Sequence, residues 1–224
     1  MARRIKISVP EIEESVSGLV SIPDNASCVM ALAHGAGAGM EHSFMDQLAQ
    51  SLEKEGIGML RFNFPYKEKG KNRPDSPRIV HATQKAALKR ATDYAAKLGI
   101  PVVAAGKSFG GRMFSQLLAS GDHGASALVF FGFPLHPPGK PGTNRADHLK
   151  DIKVPMLFLQ GSRDTLATPD LIKGVSKGLS KATMKMFEGP DHGFHMLKRS
   201  GVSDGEMIAK LAKESGKWLR VKIG

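Results

Sequence analysis

The sequence predicts an α/β fold in which helices cover both faces of a mostly parallel central sheet. Strand-like apolar segments alternate with amphipathic helical patterns along the chain, which is typical of this fold class. Two of these segments, residues 28–33 and 127–133, are continuously apolar, as expected of strands buried on both faces. With 224 residues, no internal repeat and no linker-like segment, residues 1–224 are predicted to form a single domain.

The first half of the chain supplies four strands and two helices. Residues 3–9 and 15–22 have the pattern of an antiparallel lead-in, and residues 28–33 and 58–64 of buried strands. Phe44, Leu48 and Leu52 recur at a spacing of four, which predicts a helix that ends at Gly56. Residues 66–77 are polar and basic and are predicted to form a loop, and a helix then runs to Gly99.

The second half begins with an apolar strand at residue 102, followed by a helix that ends at Gly121. Further strands are predicted at residues 127–133, 156–160 and 183–187. Residues 134–154 are rich in proline and glycine and show no helical period, so a minimal lid or none is expected between two of these strands. Thr168 is the predicted N-cap of one helix, and Ser203 with Glu206 forms the capping box of the last.

Composition limits the range of functions. No apolar run approaches the ~20 residues that a membrane span requires, and no apolar segment typical of a secretory signal follows Arg3 and Arg4. The single cysteine, Cys28, excludes an internal disulfide and fits a reducing compartment. It opens a predicted strand and is interpreted as a core residue. These features predict a soluble cytoplasmic protein that is not bound to a membrane.

The chain carries a net charge of +11, which favours anionic partners in general. The basic residues are dispersed and few aromatic residues accompany them, so the pattern disfavours nucleic acid binding. Two interpretations remain open, a solvated basic surface and an anionic small-molecule substrate.

One short motif carries the chemistry. Residues 106–110 read Gly-Lys-Ser-Phe-Gly, and they lie between an apolar strand and a helical pattern. Strand, sharp turn and helix in this order predict a nucleophile elbow with Ser108 at the turn. The Gly-Lys-Ser triplet also resembles part of a phosphate-binding loop, but that motif needs a glycine where Pro101 stands.

Two further side chains follow later strands of the predicted sheet. Asp164 comes after the strand at residues 156–160, and His192 after the last strand. Because the carboxyl ends of parallel strands meet at one edge, both are expected near Ser108. A serine is activated when a neutral imidazole takes its proton, and a carboxylate orients that imidazole. Asp170 is the weaker alternative to Asp164, and His195 the weaker alternative to His192.

A tetrahedral intermediate needs backbone donors for its oxyanion. One is expected from the N–H of Phe109, directly after the nucleophile. The other is expected from the glycine-rich loop at residues 34–39, with Ala36 favoured and Gly37 the alternative. His34 is interpreted as a residue that braces this loop and is included among the substrate-binding candidates.

Taken together, these motifs resemble those of the α/β-hydrolase superfamily, in its compact dienelactone-hydrolase-like branch. The chain is similar to the small hydrolase-like proteins grouped with a testis-expressed protein and with a chromatin-complex subunit. The matching segments are residues 32–37, 61–66, 106–112, 161–164 and 191–193. The resemblance implies Ser108 as nucleophile, Asp164 as acid and His192 as base. Dienelactone hydrolases proper have cysteine at the elbow, so their substrate does not transfer.

The function predicted from the sequence is a serine hydrolase that cleaves carboxylic esters or related acyl bonds through an acyl-enzyme at Ser108. Basic residues near the expected active face suggest a small or exposed substrate that carries negative charge; they include Lys69, Arg73 and Arg112. Arg112 has the alternative role of pairing with a structural carboxylate. The histidine spacing gives no metal motif, and no cofactor is expected. The competing hypothesis is a catalytically silent hydrolase-fold scaffold that binds partners through its basic surface.

Overall fold

The computed structural model describes residues 2–224 and contains an eight-stranded sheet. In chain order the strands are β1 (Arg3–Val9), β2 (Glu14–Ser21), β3 (Cys28–Ala33), β4 (Ile57–Phe62), β5 (Val102–Lys107), β6 (Ala127–Phe131), β7 (Met156–Gly161) and β8 (Ala182–Phe187). Their order across the sheet is β1-β2-β4-β3-β5-β6-β7-β8. The pairs β1–β2 and β2–β4 are antiparallel, and every other pair is parallel. The predicted mostly parallel sheet with an antiparallel lead-in is therefore confirmed.

Six α-helices connect or follow the strands: α1 (Ser43–Lys54), α2 (Pro65–Glu68), α3 (Pro77–Ala96), α4 (Phe109–Ala119), α5 (Pro169–Lys177) and α6 (Asp204–Ile223). The inward residues of α3, α4 and α5 share one apolar cluster with one face of the sheet. Those of α1 and α6 share a second cluster with the opposite face. Helices on both faces leave the central strands fully buried, which explains their continuous apolar runs.

The region around Tyr66 differs from the predicted loop, because Pro65–Glu68 forms one helical turn. Pro65 occupies the first turn of this helix, where its fixed φ suits the helix and its missing N–H costs nothing. The Tyr66 side chain is buried, and its hydroxyl donates to the carbonyl of Ala36 at 2.8 Å. The turn thus fastens this segment to the glycine-rich loop after β3.

The expectation of an irregular connection between β6 and β7 was wrong in part. Residues Asn144–Asp151 form a 3-10 helix that packs against α4. Its buried residues Ala146 and Leu149, with Ile152 beyond, are spaced by three, which is the 3-10 period rather than the α period. Because this segment packs on a flank of the sheet, it does not form a lid.

The predicted helix starts are present. Ser203 Oγ accepts from Glu206 N at 3.2 Å and Glu206 Oε2 accepts from Ser203 N at 2.8 Å, which completes the capping box. Thr168 is the N-cap of α5, although its side chain makes no capping hydrogen bond. Cys28 is buried in the core, and burial raises the pKa of its thiol to about 11. None of the helices within residues 2–224 has the length and apolar character needed to cross a membrane.

Candidate active site

Ser108 lies on a sharp turn between the end of β5 and the start of α4. Its backbone has φ 49° and ψ −115°, a conformation that side chains rarely adopt. Such a residue carries about 1–3 kcal/mol of strain and persists where the surrounding structure holds it. The turn projects the Ser108 hydroxyl beyond the carboxyl edge of the sheet, in the geometry of a nucleophile elbow.

The glycines of the motif allow β5 and α4 to approach each other closely. A Cβ atom on Gly106 would lie 2.2 Å from the backbone nitrogen of Gly111. A Cβ atom on Gly110 would lie 2.6 Å from the carbonyl oxygen of His34. Neither backbone position can move away without opening the turn, so the motif requires glycine at both positions.

Ser108, His192 and Asp164 form one chain of hydrogen bonds. His192 Nδ1 lies 2.6 Å from Asp164 Oδ2, and His192 Nε2 lies 2.7 Å from Ser108 Oγ. Since an ionised carboxylate only accepts, Nδ1 carries the proton and Nε2 is left to accept from the serine hydroxyl. The arrangement has the order and tautomer that allow a histidine to take a proton from a serine.

Asp164 is held by donors from its own neighbourhood. Its side chain is fully buried, and its Oδ1 accepts from the N–H of Leu166 at 2.8 Å. Its Oδ2 accepts from the side-chain amide of Gln160, whose own oxygen accepts from Phe133 N at 2.9 Å. These donors fix the carboxylate in the orientation that faces His192. Asp170, the alternative acid, lies exposed in the first turn of α5.

The loop that carries His192 packs tightly on the end of β7. A Cβ atom on Gly161 would lie 2.3 Å from the carbonyl oxygen of Pro190, so the two backbones touch here. This close approach sets the distance between Asp164 and His192. His195, the alternative base, points to the rim of the site, where its Nδ1 bonds Asp204 Oδ2 at 2.7 Å and its side chain is 70% exposed.

The protonation of His192 is governed first by its burial. Desolvation lowers the pKa of the imidazole, and the ammonium of Lys107 lowers it further. The hydrogen bond that His192 donates to Asp164 and the charges of Asp164 and Asp191 act in the opposite direction. The net pKa lies below the usual histidine value of 6.5, so the imidazole is neutral at pH 7.

A cavity of about 400 Å³ opens beside Ser108 and His192. Its walls are mainly apolar and come from the glycine-rich loop, the start of α1, the loop after β8 and α6. The side chains that shape it include Phe44, Met45, Leu166, Phe194 and Ile208. The site therefore offers apolar space directly next to a hydrogen-bonded serine.

The two candidate oxyanion elements flank Ser108, one on the cavity wall and one at the start of α4. Ala36 and Gly37 line it next to Ser108, and Phe109 is the first residue of α4. The first N–H groups of a helix have no partner within the helix, so the N–H of Phe109 is free to bind an anion there.

His34 braces the glycine-rich loop, as its position in the sequence predicted. Its Nδ1 donates to the carbonyl of Gly35 at 2.8 Å, and its Nε2 accepts from Phe64 N at 3.1 Å. Burial lowers the pKa of this imidazole to about 4, so it is neutral at physiological pH. Both ring nitrogens are engaged with backbone, and His34 does not line the cavity.

The basic residues suggested for substrate binding are not brought to the cavity. Lys69 is paired with Glu14 at 2.6 Å, Arg73 is exposed on the loop after α2, and neither lines the cavity. Arg112 lies on α4 away from the cavity, near Arg145, and it forms no ion pair with a carboxylate in residues 2–224. The alternative role for Arg112, pairing with a structural carboxylate, is therefore wrong.

Two residues that the sequence patterns did not single out contact this group, Gln160 and Lys107. Lys107 immediately precedes Ser108, and its Nζ donates to the carbonyl oxygen of His192 at 2.6 Å. Both residues share one sequence feature that could have identified them. Each is a polar residue near the end of an otherwise apolar strand, Lys107 in β5 and Gln160 in β7.

A second serine–histidine contact lies on the other face of the sheet, between Ser115 Oγ and His148 Nε2 at 2.8 Å. Ser115 sits inside α4 and donates its hydroxyl proton to the carbonyl of Arg112, so it accepts from His148. In the part of the chain that the structure describes, no carboxylate hydrogen-bonds His148. This pair lacks the acid and the strained turn of Ser108, and its hydroxyl proton is donated to a backbone carbonyl instead of to the histidine.

Metal ligands are not grouped in this fold. Across residues 2–224, no three histidine, cysteine, aspartate or glutamate side chains are placed to hold a metal ion together.

Comparison with known structures places the fold in a large group. The dienelactone hydrolase from Anabaena variabilis is 17% identical and superimposes with a TM-score of 0.79 over 100% of this chain and 99% of that one. An esterase domain from Rhodothermus marinus is 14% identical, with a TM-score of 0.74 over 100% of both chains. An α/β serine hydrolase without lid from Xanthomonas campestris is 18% identical, with a TM-score of 0.70 over 97% of this chain and 94% of that one. At these identities the likeness shows the fold.

The family assignment follows from the sequence itself. The model of the alpha/beta hydrolase domain family matches residues 26–220, which include the elbow at Ser108, Asp164 and His192. The chain therefore belongs to the alpha/beta hydrolase domain family, and its likeness to dienelactone hydrolase agrees with the dienelactone-hydrolase-like branch.

Proposed function

We propose that the protein is a serine hydrolase that cleaves carboxylic esters or related acyl bonds through an acyl-enzyme on Ser108. The observation that carries the proposal is the hydrogen-bond chain from Asp164 through His192 to Ser108 at the edge of an apolar cavity. In this proposal Ser108 is the nucleophile, His192 the general base and Asp164 the group that orients the imidazole.

The proposed reaction has two halves. His192 Nε2 takes the hydroxyl proton as Ser108 Oγ attacks the acyl carbonyl, and the imidazolium then gives that proton to the leaving alcohol. The acyl group stays on Ser108. Water attacks it with His192 again as base, which releases the carboxylic acid and restores the serine.

Backbone donors stabilise the charge that develops in both halves. The N–H of Phe109 is one proposed donor and the N–H of Ala36 the other, with Gly37 as the alternative. Tyr66 holds the carbonyl of Ala36, and His34 fixes the loop before it, so these backbone positions are rigid before substrate binds. A preorganised oxyanion site of this kind commonly contributes the largest share of the rate enhancement.

The cavity favours a small, uncharged acyl group. Its volume of about 400 Å³ lies at the lower end of ligand sites, and Phe44, Phe194 and Ile208 give it apolar walls. Lys69 and Arg73 lie outside the cavity. Lys107 lines it, but its ammonium is engaged by the His192 carbonyl and the rings of Phe44 and Phe194.

The test is hydrolysis of p-nitrophenyl esters from acetate to octanoate. We expect saturable hydrolysis with a preference for short chains, and a loss of about three orders of magnitude or more in Ser108→Ala and His192→Ala. Ser115→Ala is the matched control and is expected to retain wild-type rates. A folded wild-type protein that hydrolyses none of the esters would contradict the proposal and favour the scaffold alternative.

A further inference from the structure

Lys107 lies directly beneath the loop that carries the proposed base. It is the last residue of β5, so its side chain leaves the sheet on the face opposite to that of its neighbours. Its Nζ reaches the backbone carbonyl of His192 and donates to it at 2.6 Å. Lys107 is therefore covalently joined to Ser108 at the elbow and hydrogen-bonded to the backbone of His192.

Two aromatic rings hold the ammonium in place. Phe44 and Phe194 are stacked with centroids 5.9 Å apart and an angle of 14° between their planes. Lys107 Nζ lies 5.7 Å from the Phe44 centroid and 5.3 Å from the Phe194 centroid, within cation–π range of both. Gly132 leaves room for the Lys107 ammonium, since a Cβ atom on Gly132 would lie 3.3 Å from Lys107 Nζ.

This cation has no direct carboxylate partner. Within residues 2–224 no ion pair includes Lys107, although Asp164 and Asp191 act on it through space. Burial lowers the pKa of its ammonium to about 8, so it carries a charge at pH 7. Lys107 is partly buried and lines the cavity, and a partly desolvated cation without a paired anion is less favourable for packing than an apolar side chain of similar length such as methionine. This unfavourable free energy indicates that the Lys107 ammonium has a role beyond packing, either through its charge or as a hydrogen-bond donor.

We propose that Lys107 is a positioning residue for His192: its ammonium, packed against the rings of Phe44 and Phe194, fixes the backbone of the histidine loop through the His192 carbonyl. The inference rests on the proposed function, because it assigns His192 as the base. It adds a residue that acts on the base through the loop backbone.

Several charged groups act on His192, and Lys107 is the cation among them. Asp164 on the segment after β7 and Asp191 on the histidine's own loop favour the imidazolium, and burial and Lys107 oppose it. His195 and Asp204, at the rim, are paired with each other. Removing the Lys107 charge takes away one of the two effects that oppose protonation, so the pKa of His192 is expected to rise.

The experiment compares wild type with Lys107→Met and Lys107→Arg by kcat/KM for p-nitrophenyl acetate across pH 4–9. Methionine keeps the length and apolar packing but removes donor and charge. We expect kcat/KM at pH 7.5 to fall by about ten- to hundredfold, since small misplacements of a catalytic group cost this much. We also expect the acidic limb to move to higher pH.

Arginine restores a cationic donor and is expected to bring the acidic limb back towards wild type. An acidic limb that stays unmoved in Lys107→Met overturns the proposal, whatever the rate.

A direct titration keeps the inference testable if Lys107→Met does not fold. The His192 imidazole is followed by NMR in the Ser108→Ala background, with and without Lys107→Gln. We expect a higher His192 pKa in the glutamine variant, and an unchanged pKa overturns the inference. This titration needs no turnover, so it tests the Lys107 inference separately from the proposed hydrolase function. Failure of the hydrolase function would instead appear as a wild-type enzyme that is inactive on every ester.

Discussion

Gln160 donates its side-chain amide to Oδ2 of Asp164, the same oxygen that accepts from His192. Gln160 is fully buried in β7, and its other amide atom accepts from Phe133 N at 2.9 Å. The side chain therefore ties the aspartate to the neighbouring strand end. Both of its polar groups are satisfied, which is the condition under which a buried amide stabilises its surroundings.

Gln160→Leu is expected to impair both stability and catalysis. The buried N–H of Phe133 loses its acceptor, which costs about 1–3 kcal/mol of unfolding free energy. Asp164 loses one of the donors that orient it, so kcat is expected to fall by about tenfold or more with KM little changed. Urea unfolding and ester hydrolysis measure the two effects separately. A folded variant with wild-type kcat would show that Gln160 does not orient the aspartate.

The glycine at the start of the elbow motif is required by close packing, so Gly106→Ala is expected to be strongly destabilising. The added methyl group would lie 2.2 Å from Gly111 N, and relieving it means separating β5 from α4. Overpacking of this kind costs about 3 kcal/mol. Gly174→Ala in α5 is the matched control: open space surrounds that position, and alanine there gains about 0.5–1 kcal/mol. Thermal unfolding of both variants should show shifts of opposite sign.

The activity is expected to persist below the usual titration range of histidine. Burial and then Lys107 lower the pKa of His192, with Asp164 and Asp191 in partial opposition. The base must be neutral, so activity is lost as the pH falls through this pKa. The acidic limb of kcat/KM, which reports the free enzyme, should therefore have its midpoint below pH 6.5. A midpoint at or above this pH would contradict the assignment of the buried His192 as the base.

Chain-length preference is expected to depend on Ile208. This residue of α6 lines the cavity, and Ile208→Ala would enlarge it towards longer acyl chains. Each further methylene that becomes buried contributes about 0.8 kcal/mol, close to fourfold in kcat/KM. The ratio of rates on p-nitrophenyl hexanoate and acetate measures the effect independently of enzyme loss. Met207→Ala, a buried neighbour on the same helix that does not line the cavity, should leave the ratio unchanged. Equal shifts in both variants would mean that the acyl group binds elsewhere.

The strands of the sheet were predictable because the burial of each strand face determines which of its residues are apolar. β1 alternates polar and apolar residues and β3 is wholly apolar, and both have the predicted bounds. The order of Ser108, Asp164 and His192 at strand ends was also readable, since parallel strands bring their carboxyl ends together.

Other features depend on contacts that sequence spacing does not carry. Lys107 and Gln160 look like ordinary residues at the ends of apolar strands, and their roles arise from loops 85 and 27 residues away. The 3-10 helix Asn144–Asp151 has apolar residues at a spacing of three over only two turns, which is too short for a period to stand out. Lys69 and Arg73 follow the carboxyl end of β4, but Lys69 pairs with Glu14 and neither residue lines the cavity.

The most direct test of the central claim is to locate the covalent adduct of a fluorophosphonate probe. The wild-type protein should take up one equivalent of probe, and peptide mapping by mass spectrometry should find it on Ser108. Labelling should be lost in Ser108→Ala and retained in Ser115→Ala, which removes the other histidine-bonded serine. A folded wild-type protein that stays unlabelled, or an adduct on Ser115, would contradict the assignment of Ser108 as the nucleophile.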